Sequence, residues 1–110
     1  MYLVIVVLFQ EEQLDDMLSV FAELGLENTV VVEATRMQEL LAFDVPIFAG
    51  LVGSSLGGKR YIKIVIAPSD DEHIGTKISR VAKDLDMDFS NRDVGMILTL
   101  PIKEYLSAED

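Results

Sequence analysis

The chain has 110 residues, no cysteine and a formal net charge of −10. This length predicts one domain, residues 1–110, with a hydrophobic core of its own. The lack of thiols excludes disulfides and cysteine nucleophiles, and the negative charge argues against nucleic acid as a partner, because phosphate binding requires a basic surface.

The first third of the chain predicts a strand, a helix and a second strand. Residues 2–9 read YLVIVVLF, an apolar run typical of a central strand buried on both faces. The run is too short for a membrane span and lacks the basic start of a signal peptide, so we expect a cytoplasmic protein without membrane insertion. Residues 11–24 combine helical spacing of apolar side chains with an acidic first turn and a stop at Gly25. Residues 29–35 predict the second strand.

A long connection follows at residues 36–60. Its first part, Met37–Phe43, is predicted to form about two helical turns, which Pro46 prevents from continuing. Connections of this length are more often functional than structural, and a solvated linker would carry fewer apolar side chains. The segment either packs on its own protein or binds a partner. The side chains predicted to bind a partner are Phe43, Pro46, Ile47, Phe48, Leu51 and Val52.

The second half of the chain repeats the alternation of strand and helix. Residues 60–67 predict a third strand, which Pro68 should end. Ser69 and Glu72 have the spacing of a capping box, with Ser69 as the N-cap of a second long helix. Residues 94–102 predict the fourth strand.

This order of elements predicts an α+β, ferredoxin-like βαββαβ sandwich. Its four-stranded antiparallel sheet would carry two helices on one face, with the first and third strands in the centre. The other face would stay uncovered, although the first strand is apolar on both faces. Val65, Met96 and Leu98 are predicted to extend that open patch, and Lys63 and Glu33 to interrupt it. An exposed apolar patch marks an interface, so we predict a homo-oligomer that packs through the open sheet face.

The sequence predicts neither a catalytic residue nor a metal site. His73 is the only histidine and is expected on the surface, so no Ser-His-Asp arrangement can be built. Asp84, Asp86 and Asp88 resemble the opening of a calcium loop, but the required glycine and glutamate are missing from their positions. We expect these aspartates to form a solvated helix end.

Two further segments could contact a ligand. Residues 53–59 match the phosphate-binding pattern G-x-x-x-x-G-K, but Arg60 and a strand follow where that loop needs Ser or Thr and a helix. A flexible hinge is the favoured reading, and anion binding by the glycine amides with Lys59 and Arg60 is the alternative. Residues 90–95 form either a plain turn or part of a ligand cleft between subunits.

Three stretches together resemble the nitrogen regulatory protein PII superfamily: YLVIVVLFQEEQLDDMLSVFAELGL, KIVIAPSDDEHIGTKISRVAK and GMILTLPIKEYL. The resemblance implies a signal transduction protein without enzymatic activity, active in nitrogen regulation, which forms a homotrimer packed through its sheets. It also implies adenine nucleotide sites between subunits. Residues 36–60 would correspond to the mobile T-loop, through which the family contacts a transporter, an enzyme or a transcription factor.

The chain departs from this family at its phosphate-binding positions. Gly95 is kept, but Met96 stands where the family has a lysine, and the acidic C-terminus lacks the family's basic residues. These departures remove groups that would pair with a triphosphate and argue against ATP as the ligand. The residues predicted to line the ligand cleft are Arg36, Gly58, Lys59, Arg60, Asn91, Arg92 and Gly95.

Two alternatives to a PII-like regulator stay open. A CutA-like trimer would have the same fold and associate with divalent metal, although the chain is poor in histidine and cysteine. A small ferredoxin-like enzyme would need a pocket with a poised acid or base, and the sequence identifies no residue for that role.

Overall fold

Four strands and three α-helices form the part of the chain that the computed structural model describes, residues 1–43 and 61–108. A single 3₁₀ turn, Glu11–Gln13, precedes the first helix. In chain order the elements are β1 (Tyr2–Leu8), α1 (Leu14–Glu23), β2 (Val30–Thr35), α2 (Met37–Phe43), β3 (Tyr61–Ser69), α3 (Ile74–Lys83) and β4 (Gly95–Pro101).

The strands form one sheet in the order β2-β3-β1-β4, and every neighbouring pair is antiparallel. The prediction that the first and third strands occupy the centre is therefore confirmed. At mid-sheet, Ile5 of β1 lies opposite Ile66 of β3 and Leu98 of β4. Both outer strands, β2 and β4, have a partner on one side only among the described residues.

The hydrophobic core lies between one face of the sheet and the helices α1 and α3. Alternation along β1 directs Val4, Val6 and Leu8 into this core, where each is fully buried. The helices contribute apolar side chains at helical spacing. Those from α1 are Met17, Val20 and Phe21, and those from α3 are Ile78, Ile74 and Ala82. The α+β class and the placement of both helices on one face follow the prediction.

Strand β3 runs through Pro68 to Ser69, so the prediction that Pro68 ends the strand was wrong. Proline cannot donate to a ladder, and it is tolerated where its nitrogen faces no neighbouring strand. Pairing with β2 stops at Ile66, opposite Val30. The nitrogen of Pro68 lies on that side, past the start of β2, so no ladder bond is lost.

The predicted capping box does not form, and α3 begins at Ile74. The hydroxyl of Ser69 accepts a hydrogen bond from the N–H of Asp71 at 3.1 Å, and the Asp71 carboxylate accepts one from the N–H of His73 at 2.8 Å. Two successive side-chain turns thus replace one N-cap. Glu72 interacts instead with the hydroxyl of Tyr2 at 3.5 Å and with the exposed His73 ring at 3.4 Å.

Both long helices end in a Schellman motif. After α1, Gly25 has φ +76° and the N–H of Leu26 donates to the carbonyl of Phe21, as expected for the predicted glycine stop. After α3, Asp86 holds the equivalent left-handed position with φ +64°. The acidic segment therefore includes a helix cap.

Gly95 is required by close packing at the start of β4. Its φ is +148°, and a Cβ there would overlap the carbonyl oxygen of Val7 on the neighbouring strand. Gly25 also has positive φ, but a Cβ there would meet nothing within 4 Å. Substitution of Gly95 would therefore cause both backbone strain and steric overlap, whereas substitution of Gly25 would cause backbone strain alone.

We expect Gly95→Ala to lower the free energy of unfolding by about 2–4 kcal/mol, because strain and overlap both contribute. Gly25→Ala should cost only about 1 kcal/mol, from backbone strain alone. Urea unfolding followed by circular dichroism measures both. Equal losses in the two variants would show that Val7 imposes no steric limit.

Candidate functional site

The sheet face opposite the helices is apolar at every position that the strands contribute. Residues directly opposite each other in an antiparallel sheet share a face, so the strand register assigns its members. They are Leu3, Ile5 and Val7 of β1, Val30, Val32 and Ala34 of β2, Ile62, Ile64, Ile66 and Pro68 of β3, and Met96, Leu98 and Leu100 of β4. We call this surface the open face.

Two details of the predicted patch were wrong. Val65 is fully buried in the core on the helix side of the sheet. Lys63 and Glu33 also lie on the helix side, where their side chains form an ion pair at 2.8 Å. The open face is therefore not interrupted by charge, and it is larger than the sequence suggested.

The outer strands expose this surface most. Val30 is 55% exposed on β2, and Met96 is 46% exposed on β4. The central residues Ile5 and Ile66 are half-buried, and Ile62 at the loop end of β3 is buried. A continuous apolar surface of this kind is rare on a monomeric protein and marks an interaction site.

A second group of predicted residues lies where β1 and β2 end and β4 begins, which we call the loop end of the sheet. Arg36 follows β2, and its guanidinium carbon lies 4.0 Å from the ring centre of Phe9, which follows β1. The carbonyl of Arg36 accepts hydrogen bonds from the N–H groups of Glu39 and Leu40. The backbone of Arg36 thus accepts the first hydrogen bonds of α2, and its side chain extends across the end of the sheet to Phe9.

The turn at residues 90–95 is tied to the same sheet end. The N–H of Phe9 donates to the carbonyl of Val94 at 3.0 Å, and the side-chain amide of Gln10 donates to the carbonyl of Asp93 at 3.4 Å. Phe9 and Gln10 therefore join the predicted ligand residues of both segments, Arg36 on one side and the turn on the other. Neither linking residue was predicted, because their role depends on contacts distant in sequence.

Two residues of this turn have structural roles that the sequence did not reveal. The side-chain oxygen of Asn91 accepts a hydrogen bond from the N–H of Asp93 at 2.9 Å, which shapes the turn. Gly95 allows β4 to approach β1. Arg92 is exposed.

The remaining predicted positions lie outside the described residues or at their margin. Gly58, Lys59 and Arg60 of the predicted cleft are outside, as are Pro46, Ile47, Phe48, Leu51 and Val52 of the predicted partner-binding loop. Phe43 is the last residue of α2.

Asp88 stabilises the start of the turn. Its carboxylate accepts hydrogen bonds from the hydroxyl of Ser90 at 2.7 Å and from the N–H of Ser90 at 2.9 Å. These two bonds favour the charged form and lower the pKa of Asp88. The pKa of Asp71 is lowered in the same way, first by the Lys77 ammonium and then by the His73 N–H.

In residues 1–43 and 61–108, no three His, Cys, Asp or Glu side chains are placed to hold a metal ion together.

A groove of about 540 Å³ runs between α3 and β4, and we call it the α3–β4 groove. The small residues Gly75, Thr76 and Ser79 form its helix side, and Ile97 and Thr99 form its strand side. A Cβ at Gly75 would lie 2.6 Å from the hydroxyl oxygen of Thr99, so glycine sets the distance between helix and strand. The groove was not predicted from the sequence. The cluster of small residues on α3 is the sequence feature that could have indicated it.

Comparison with protein families finds no family model that the sequence matches, and comparison with curated proteins finds no significant match. Among the helices described here, none is both long and apolar enough to cross a membrane.

We predict that Phe9 and Arg36 are energetically coupled. A double-mutant cycle with Phe9→Leu and Arg36→Gln removes the aromatic ring and the cation in turn while retaining side-chain bulk. The coupling free energy in urea unfolding should be about 0.5–1 kcal/mol, as for cation–π pairs at partly exposed sites. Additive losses in the double variant would show that the contact contributes nothing.

Proposed function

We propose that this chain is a PII-like regulatory protein with a ferredoxin-like fold, acting as a homotrimer. The order β2-β3-β1-β4 with antiparallel neighbours, alternating with helices on one face, supports the ferredoxin-like arrangement. Such a fold hosts many functions. The functional proposal therefore depends on the open face and on the loop end of the sheet.

The open face is the observation that carries the proposal. Its outer side chains, such as Val30 and Met96, are about half exposed in the single chain, at a cost in free energy of about 25 cal/mol for each Å² of apolar surface left in water. Packing three sheets against one another removes that surface from water. The family resemblance implies that the ligand site of such a homotrimer lies between subunits.

The loop end is the proposed ligand site. Arg36, positioned on Phe9, and the exposed Arg92 supply positive charge near the 90–95 turn. An adenine nucleotide is the ligand class that the family resemblance suggests. With Met96 in place of a lysine and a net charge of −10, we favour AMP or ADP over ATP.

Residues 36–60 are the proposed partner-binding segment. Arg36 lies at its beginning and within the proposed ligand site, so one residue could transmit ligand occupancy to the segment. The apolar residues Ile47 and Phe48 favour an apolar partner surface, which suits a metabolic enzyme or a membrane transporter contacted from the cytoplasm. In this account the protein has no catalytic role.

Calorimetric titration with AMP, ADP, ATP and Cu²⁺ tests the ligand class. We expect saturable binding of AMP or ADP, weaker binding of ATP, and about tenfold or greater loss of affinity in Arg36→Gln, because a charge-assisted hydrogen bond is removed. Arg80→Gln, a change on the exposed side of α3, is the matched control and should bind normally.

Two results of this titration would contradict the nucleotide site. Saturable Cu²⁺ binding without nucleotide binding would favour the CutA-like alternative. Equal nucleotide affinity in the Arg36→Gln and Arg80→Gln variants would show that the loop end is not the binding site.

The double change Ile47→Asp with Phe48→Asp tests the partner-binding segment. Affinity capture with the unchanged protein should retain a target that the double variant loses, because charge is introduced at the apolar contact. Ser54→Asp with Ser55→Asp introduces the same charge at polar positions of the segment and should retain the target. Capture by all three proteins would place the contact elsewhere.

A further inference from the structure

Two cavities adjoin the connection between α1 and β2, at the end of the sheet opposite the loop end. One has a volume of about 330 Å³ and is mainly apolar, and the other has a volume of about 260 Å³ and is mainly polar. We call them the apolar cavity and the polar cavity. Gly25, Leu26 and Glu27 line both of them, so the two cavities lie side by side.

The apolar cavity is formed by side chains on one flank of α1. Leu18, Phe21 and Ala22 line it at helical spacing, and Leu26 and Thr29 line it from the connection. Phe21 and Leu26 are buried in the core, whereas Ala22 is exposed. The small side chain of Ala22 therefore leaves room beside the core for an additional apolar group.

The polar cavity contains carboxylates and favours a cation. Glu27 and Asp70 line it together with Asn28 and Tyr105. Among the described residues that line either cavity, none has a basic side chain. Tyr105 is 41% exposed, and an aromatic ring can contact a cation through its face. The net charge of −10 adds a general attraction for positively charged partners.

The wall that the two cavities share is held by its own hydrogen bonds. The N–H of Leu26 donates to the carbonyl of Phe21 at 3.0 Å, and the N–H of Glu27 donates to the carbonyl of Gly25 at 3.0 Å. The hydroxyl of Thr29 donates to the carbonyl of Leu26 at 2.6 Å. A preformed wall of this kind lowers the entropic cost of binding.

We propose that this end of the molecule binds a basic segment of a partner protein, with a leucine-like side chain in the apolar cavity and a neighbouring lysine or arginine in the polar cavity. Charge complementarity with Glu27 and Asp70 selects the basic residue. The inference does not depend on the proposed nucleotide site or on the homotrimer, because all the lining residues belong to one chain. It is also separate from the proposed partner-binding segment, which begins at the loop end.

A peptide segment suits these cavities better than a single small molecule does. Small-molecule sites commonly have volumes of about 300–1,000 Å³ and enclose most of the ligand. Here two volumes of about 330 Å³ and 260 Å³ lie next to each other and differ in chemistry. Neighbouring side chains of one peptide meet that requirement, because one can be apolar while the next is charged.

Titration with three acetylated tripeptide amides, followed through the amide chemical shifts of the protein, tests both contacts. We expect the Lys-Leu-Lys peptide to bind saturably and to shift the amide resonances of Gly25, Leu26 and Glu27. Glu-Leu-Glu should bind about tenfold or more weakly, because its charges are repelled. Lys-Gly-Lys should lose a similar factor, because no apolar side chain is buried. Equal affinity for the three peptides, no saturable binding in the millimolar range, or shifts confined to other residues would each overturn the proposal.

Matched variants of α1 and its connection assign the two contacts separately. Ala22→Leu fills the apolar cavity and should weaken binding of Lys-Leu-Lys about tenfold or more, whereas Ser19→Leu adds the same side chain at an exposed position outside the cavity and should bind normally. Glu27→Gln should weaken binding about threefold, as for an exposed ion pair, and Glu23→Gln should not. Equal affinity within either pair of variants would overturn the contact that this pair tests.

Discussion

The structure depends on a mismatch between the sheet and its helices. Strand β1 is apolar on both faces, but α1 and α3 bury only the face that carries Val4, Val6 and Leu8. The other face of the sheet is apolar across all four strands. Burial of this face by further copies of the chain would stabilise the fold, so folding and assembly would be coupled.

The loop end of the sheet connects that packing to the proposed signal. Phe9 continues the inner strand β1, contacts the Arg36 guanidinium through its ring and holds the 90–95 turn through its backbone. A ligand that displaces Arg36 from Phe9 would alter the start of α2 and of the long connection without disturbing the core.

Sequence reasoning predicted what depends on local pattern and failed where distant contacts decide. The apolar alternation of β1, the helical spacing of α1 and the glycine stop at Gly25 are local, and all were predicted. The faces of Lys63 and Glu33 depend on the register between β2 and β3, which sequence alone does not reveal. For α3, the Asp71 carboxylate accepts the N–H of His73, and the helix begins at Ile74, too late for Ser69 to be its N-cap. The α3–β4 groove arises from the packing distance set by Gly75, and no linear motif encodes it.

The most direct test of the account is the mass of the particle in solution. Sedimentation equilibrium over a range of protein concentrations should give three times the 12.2 kDa of the single chain, because the open face is removed from water only in the assembly. A particle of 12.2 kDa at all concentrations would contradict the account, since the open face would then be stable in contact with solvent.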